Sequence, residues 1–321
     1  MILGYPAMLL NAITIALLGM IAAAMLASVL VCFWADQLPR LAVPQRRRLL
    51  WCVAGFPFSA ALVAVLLSLL PEWQLVATSV LSDIIHWHHV YLFAPVSWHG
   101  FFLLAGLLAF FSMLVIGLAK AVRDGRRLHL LKQFGRAGTD SLTEIDAPAP
   151  MAFASGLWRP QAFITTGLSC RIAADEREII CLHEQAHVSL RDPLKKYVFS
   201  LLLFFYLPPV RRLLKAEFDL VLEQTADDWV LSRCADRTAI ASTLVKVMRL
   251  KEALQPAPMP EITACYFAAC AMERRIRHLL GVNDYRSLPL LLVTSTMLGL
   301  LLASAVAVDL LHHLLETVFL H

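Results

Sequence analysis

The chain has 321 residues, 59% of them hydrophobic and only 16% charged, whereas about a quarter are charged in a typical soluble domain. Its formal net charge is +4, with no interleaving of basic and aromatic residues, which argues against a direct nucleic-acid surface. Seven cysteines without a CxxC pair argue against a cysteine-zinc module or a disulfide scaffold and read as free, mostly buried thiols.

Four apolar runs stand out, at residues 9–34, 49–70, 101–122 and 288–311. Each is long enough to cross a hydrocarbon core of about 30 Å as a helix. The first has no basic leader and exceeds a signal peptide's apolar core, so it is expected to be a retained span. Of the 28 Lys and Arg residues none precedes Arg40, four lie in 40–48, and the rest lie in 120–286. The positive-inside rule then orients the chain in the cell membrane with both termini outside and residues 120–286 in the cytoplasm. The expected fold is an α-helical membrane protein with four transmembrane helices and a cytoplasmic α+β domain. The expected divisions are a three-span region at 1–122, the cytoplasmic domain at 123–286, and the fourth span with a short outer tail at 287–321.

Within the middle region, residues 120–134 continue the third span as a basic helix and 135–140 break it. "LTEIDAPAP" and "QAFITTGL" are short β-rich runs bounded by Gly and Pro, so both are expected as strands. Residues 175–190 form a helix whose Asp175 and Glu178 resemble a capping box, and Pro193 is expected to end it. The apolar segment 197–210 is short for a span and is followed by Arg211 and Arg212, so it is expected either to dip into the membrane or to be buried at the surface. Helices follow at 215–233 and 263–280, separated by a Pro-rich loop at 253–262 that is a candidate self-cleavage site against the plainer alternative of an ordinary connector.

The chemistry concentrates in "ICLHEQAHVSLRDP". On a helix, His183 and His187 lie one turn apart on one face and aim both imidazoles at one ion, with Glu184 beside them as general base. A hydrolytic zinc site needs three protein ligands and an open position. "LEQTADDWVL" offers Glu223 and Asp227, again four apart, one to ligate and one to orient a ligand histidine. The strand around Phe163, Ile164 and Thr165 is a candidate edge for an extended peptide. The Arg191–Asp192 pair is expected to hold the helix end. No oxyanion donor is assigned by the sequence; Arg191 and His278 are candidates.

These motifs resemble the membrane-embedded gluzincin metallopeptidases. "GLWRPQAFITTGL", "HEQAHVSLRDPL" and "ERRIRHLLG" are similar to segments of the BlaR/MecR type, the protease module of β-lactam sensor-transducers, rather than the HtpX type. The resemblance implies one Zn2+ per chain, held by His183, His187 and Glu223, with Asp227 behind them. It implies a protein substrate, by analogy a BlaI/MecI-type transcriptional repressor. The sequence ends shortly after the last span, so the penicillin-binding sensor domain of those proteins, and β-lactam sensing with it, are not expected. HtpX-like membrane-protein quality control and a non-proteolytic metal-binding receptor or scaffold are the alternatives, and a homo-oligomer is left open.

Seven of the eleven histidines fall outside by this topology. His86, His88 and His89 are the candidate core of an extracytoplasmic metal or pH sensor. The plainer reading is an interfacial cluster among Trp and Tyr residues.

Overall fold

The computed structural model describes residues 1–69, 90–137, 142–254, 262–282 and 285–319. It is mostly helical, with a small sheet, and divides into two compact units. His86, His88 and His89, and all but the two ends of the Pro-rich loop, lie outside the described residues.

The first unit comprises Met1–Ile116, Leu201–Leu214 and Arg286–His321. Its helices are α1 (Tyr5–Trp34), α2 (Val43–Leu69), the first part of α3 (Trp98–Phe134) and α10 (Leu290–Phe319). All four are long and apolar enough to cross a membrane. α1 packs on α2 and α10 and buries its small residues Ala7, Gly19, Ala23, Ala24 and Ala27, which let neighbouring backbones approach closely. Short strands β1 (Ile2–Leu3) and β2 (Leu92–Phe93) pair antiparallel. The Asn11 amide donates to the carbonyls of Val90 and Leu92 at 3.0 and 3.1 Å, tying the approach to α3 onto α1.

The apolar segment predicted at 197–210 is not one continuous element. It comprises the end of α6 (Asp192–Leu202), a 3-10 turn at Leu203–Phe205, and the start of α7 (Pro208–Leu231). Residues Leu201–Leu214 cluster with the four long helices. Tyr206 donates its hydroxyl to the Val53 carbonyl, and the Phe205 ring meets Phe58 edge-on at 6.4 Å.

The second unit comprises Gly117–Ser200 and Lys215–Tyr285. Its sheet runs β3 (Gly135–Ala137), β4 (Thr143–Ile145), β6 (Gln161–Thr165), β5 (Ala152–Ser155) in spatial order. β4 and β6 are parallel and the outer pairs are antiparallel. The proposed edge strand is therefore interior: β6 is paired on both sides, and Phe163 and Ile164 are fully buried. Thr165 is also committed, its hydroxyl donating to the Ala149 carbonyl at 2.6 Å and accepting from the Met151 N–H at 3.0 Å. Among the described residues β5 pairs only with β6, so its outer edge, next to the site, is open, which the sequence did not announce. Gly156 follows β5 at φ +115, where a side chain would be strained and a Cβ would meet the Arg159 carbonyl at 2.8 Å.

After the short helix α4 (Thr166–Ser169) comes α5, Ala174–Ser189. Its start differs from expectation. Glu176, not Glu178, reaches back to accept from the Ala173 N–H at 2.8 Å, and Ala173 has no side-chain oxygen to return the bond. Its end differs too. Arg191, at φ 54, turns the chain in a left-handed conformation, and Pro193 begins the next helix rather than ending this one. α8 (Arg237–Leu254) and α9 (Ile262–Leu279) complete the unit. Of the thiols expected to be buried, Cys32, Cys52 and Cys170 are exposed.

Candidate active site

Helix α5 carries His183, Glu184 and His187 on its inner face, each less than a tenth exposed. Helix α7 brings Glu223 to the same point. His183 Nε2 lies 3.3 Å from Glu223 Oε2, His187 Nε2 lies 3.2 Å from His183 Nε2, and His187 Nε2 lies 3.7 Å from Glu223 Oε1. Donors held at about 2.0–2.1 Å by one tetrahedral Zn2+ lie about 3.4 Å apart, close to the separations of the two imidazole nitrogens from each other and from the Glu223 carboxylate.

The far side of each imidazole faces an acid. His187 Nδ1 donates to Asp192 Oδ2 at 2.8 Å, and Asp192 Oδ1 accepts from Lys195 at 2.9 Å. Asp192 is thus a partner of His187 and not of Arg191; the left-handed turn at Arg191 swings it back over the helix end. His183 Nδ1 lies 3.2 Å from Asp227 Oδ1, within ion-pair range but off a straight hydrogen-bond line. Protons held at Nδ1 leave both Nε2 electron pairs facing one spot, and two such pairs repel unless a cation or a proton sits there.

The electrostatics point the same way. Burial alone would lower the pKa of His183, but Asp227 and Glu223 outweigh it and raise it to about 10. Burial opposes ionisation of Glu223, yet the two imidazoles and Arg275 hold its carboxyl well below the usual range. Glu223 still keeps 27% of its side-chain surface open. Burial pushes Glu184 up, against the pull of both histidines. Burial likewise opposes ionisation of Asp227, and the Arg275 guanidinium overrides it, donating from Nε at 2.8 Å and Nη2 at 2.7 Å.

Arg275 also reaches Glu223 Oε2 at 3.2 Å, and neighbouring Arg274 grips the buried Glu217 at 2.6 and 2.9 Å. Consecutive arginines of α9 therefore fasten three acids of α7. The site opens into a cavity of about 810 Å³, bounded by β5, by the α3 face bearing Lys120, Asp124 and Arg127, and by Lys196 and Lys251. Neither oxyanion candidate is among its lining residues; His278 is occupied by Asp228 and Tyr285, each at 2.8 Å.

The sequence profile described as BlaR1 peptidase M56 matches residues 75–279. The chain belongs to this family. The M56 match takes in both metal-facing helices and closes at Leu279, the last residue of the helix carrying Arg275. Membership makes the chain a peptidase, and its four long apolar helices make it a membrane metallopeptidase of the BlaR1 type. No curated protein matches it.

Three contributors escaped the sequence reading. Asp192 was visible within the motif but was assigned to Arg191. Arg275 lies in "ERRIRHLLG", where nothing local shows that it meets an acid 48 residues away. β5, "AFAS", is too short and small to carry a strand pattern.

Proposed function

We propose that this M56 peptidase is a zinc metalloendopeptidase that cuts an extended segment of a cytoplasmic or membrane-adjacent protein, as a step in regulated signalling such as inactivation of a repressor. The observation that supports it most is the convergence of His183 Nε2 and His187 Nε2, 3.2 Å apart, on the Glu223 carboxylate, whose Oε2 and Oε1 lie 3.3 and 3.7 Å from them, with acids behind both imidazoles. Imidazole and carboxylate donors in a three-ligand set suit zinc with one position left open.

His183, His187 and Glu223 would hold the zinc ion, which would supply Lewis acidity toward the scissile carbonyl and the attacking water. Glu184 takes a proton from the attacking water as its oxygen bonds to the carbonyl carbon. It then hands that proton to the departing amine nitrogen as the C–N bond breaks. Its raised pKa suits both halves of the exchange: a more basic carboxylate takes the proton from the attacking water more readily, and the carboxylic acid it becomes is still far more acidic than water when it passes the proton to the amine. Asp192 and Asp227 keep both ligand rings in one tautomer. The β5 edge offers backbone N–H and C=O groups to an extended peptide beside the histidines. Orientation by the positive-inside rule puts this chemistry on the cytoplasmic face.

The test compares new protein N-termini in cells expressing wild type or Glu184→Ala at matched levels. One or a few fragments made only by wild type support regulated cleavage and name the substrate. Many fragments of damaged membrane proteins favour quality control instead. No difference, at rest and under metal or envelope stress, overturns the peptidase assignment for this chain and leaves a metal-binding receptor.

A further inference from the structure

The four-helix unit contains a second convergence of metal-ligating side chains. One ligand atom from each of His99, His312 and Glu316 lies within 4.8 Å of the other two. We infer that these three residues bind a divalent transition-metal ion of the zinc class, at a site separate from the peptidase centre.

The site is built by two helices. On α10, Ser304, Ala305, Val308 and His312 recur at spacings of three and four and are all at most 2% exposed, so they form the face turned into the bundle. Glu316 follows one turn later, with its Oε1 at 3.3 Å from His312 Nε2, close to the spacing of two donors on one tetrahedral ion. His99 comes from the first turn of α3. That turn is held in place by the Asn11 bonds to Val90 and Leu92, by the β1–β2 pairing, and by Ser97, whose hydroxyl donates to the Ala94 carbonyl at 2.7 Å. The same hydroxyl lies 3.4 Å from His99 Nδ1. Its own proton is already committed, so it accepts from Nδ1 and favours the tautomer with the electron pair on Nε2.

The surroundings make the cluster costly unless it has a purpose. His312 is fully buried, its ring 5.3 Å from that of His99 and 5.7 Å from that of Trp98. Trp98, Phe102 and Val308 belong to one apolar cluster with Ile15 and Leu18. A carboxylate and two imidazoles in such a setting need charge compensation. A His312–Glu316 ion pair needs only α10 and gives no reason for His99 to converge on it. Two imidazoles and one carboxylate suit Zn2+, Ni2+ or Cu2+ and not the all-oxygen preference of Mg2+ or Ca2+. Asp309 and His313 form their own pair at 3.9 Å and serve as a neighbouring control.

The test uses the full chain in detergent, with metal counted by mass spectrometry after stripping and reloading with Zn2+, and with Co2+ as a spectroscopic probe. Wild type is expected to carry two ions, and His183→Ala/His187→Ala one. In that double variant, Co2+ should give visible ligand-field bands, and His99→Asn or Glu316→Gln should weaken binding by more than about 10-fold, the least that loss of even an outer partner produces. His313→Ala should change nothing. His99 and Glu316 are preferred to the fully buried His312 so that folding, checked by size-exclusion profile, survives. One ion in wild type and none in the double variant overturns the inference. So does binding indifferent to His99→Asn and Glu316→Gln. One ion in both proteins instead keeps this site and overturns the zinc assignment at His183 and His187.

Discussion

His187 Nδ1 donates to Asp192 Oδ2 at 2.8 Å, across a left-handed turn at Arg191 that separates the two helices. The pair fixes which ring nitrogen of His187 faces the metal-binding point. Asp192→Asn presents an amide that can still be turned to accept but lacks the charge that strengthens the imidazole as a ligand. We expect Zn2+ affinity to fall about 10- to 100-fold, read by competition with a chromophoric chelator. Unchanged affinity would remove Asp192 from the site's machinery.

Asp227 is completely buried and is neutralised by two hydrogen bonds from Arg275. Arg275→Ala leaves that buried carboxylate without its guanidinium partner. Breaking such a pair from one side costs about 3–5 kcal/mol. The loss is expected in denaturant melts even at saturating Zn2+. A double variant, Arg275→Leu/Asp227→Leu, should recover part of the stability but not the zinc affinity. If the single and double variants are equally unstable, the pair is not what holds α9 to α7.

Burial raises the pKa of Glu184 above its ordinary 4.5. A protonated Glu184 accepts no proton, so kcat/KM should rise with pH on an acid limb displaced upward from that value. Glu184→Gln should abolish cleavage while one zinc remains bound at His183, His187 and Glu223. Retained turnover in that variant would move the base elsewhere.

The metal-free protein has its own pH signature. His183 has a raised folded-state pKa, so the stability it contributes is full below 6.5 and is lost as pH rises through about 10. Glu223 and Asp227 have depressed values, so their contribution is present above the ordinary carboxylate range and is lost as pH falls below it. Thermal melts of the stripped protein should therefore peak between these limits. Saturating Zn2+ should flatten the alkaline decline, because a ligated His183 holds no proton to release. A stripped protein equally stable at neutral and alkaline pH would contradict the ion-pair account of His183.

Docking on β5 makes a distinct demand on substrates. Peptides N-methylated at alternate residues around the cut should show raised KM or no cleavage, because each methyl removes a donor that an edge strand needs. Equal cleavage of methylated and unmethylated peptides would exclude the edge.

The metal helix was legible because its chemistry has a period: His183 and His187 must be one turn apart, and the apolar face of α5 repeats with them. The partner helix was legible for the same reason, through Glu223 and Asp227. What the sequence concealed depended on tertiary geometry. The run "QAFITT" read as an edge, although its consecutive apolar residues Ala162–Ile164 suit the interior of a sheet better than an edge. Asp192 acquired its role from a backbone turn at a non-glycine residue, which no residue pattern specifies. Arg275 acquired its role from a helix that returns to α7 from far along the chain.

An open strand beside a catalytic cluster selects by conformation before it selects by side chain. A segment can pair with β5 only after giving up its own hydrogen bonds, so a helix or an interior strand is protected whatever its sequence. Cleavage then reports where a target is already unravelled or hinged. A well-folded partner would be severed at a linker, and its susceptibility could be changed by anything that orders or releases that linker, with no alteration to the peptidase itself.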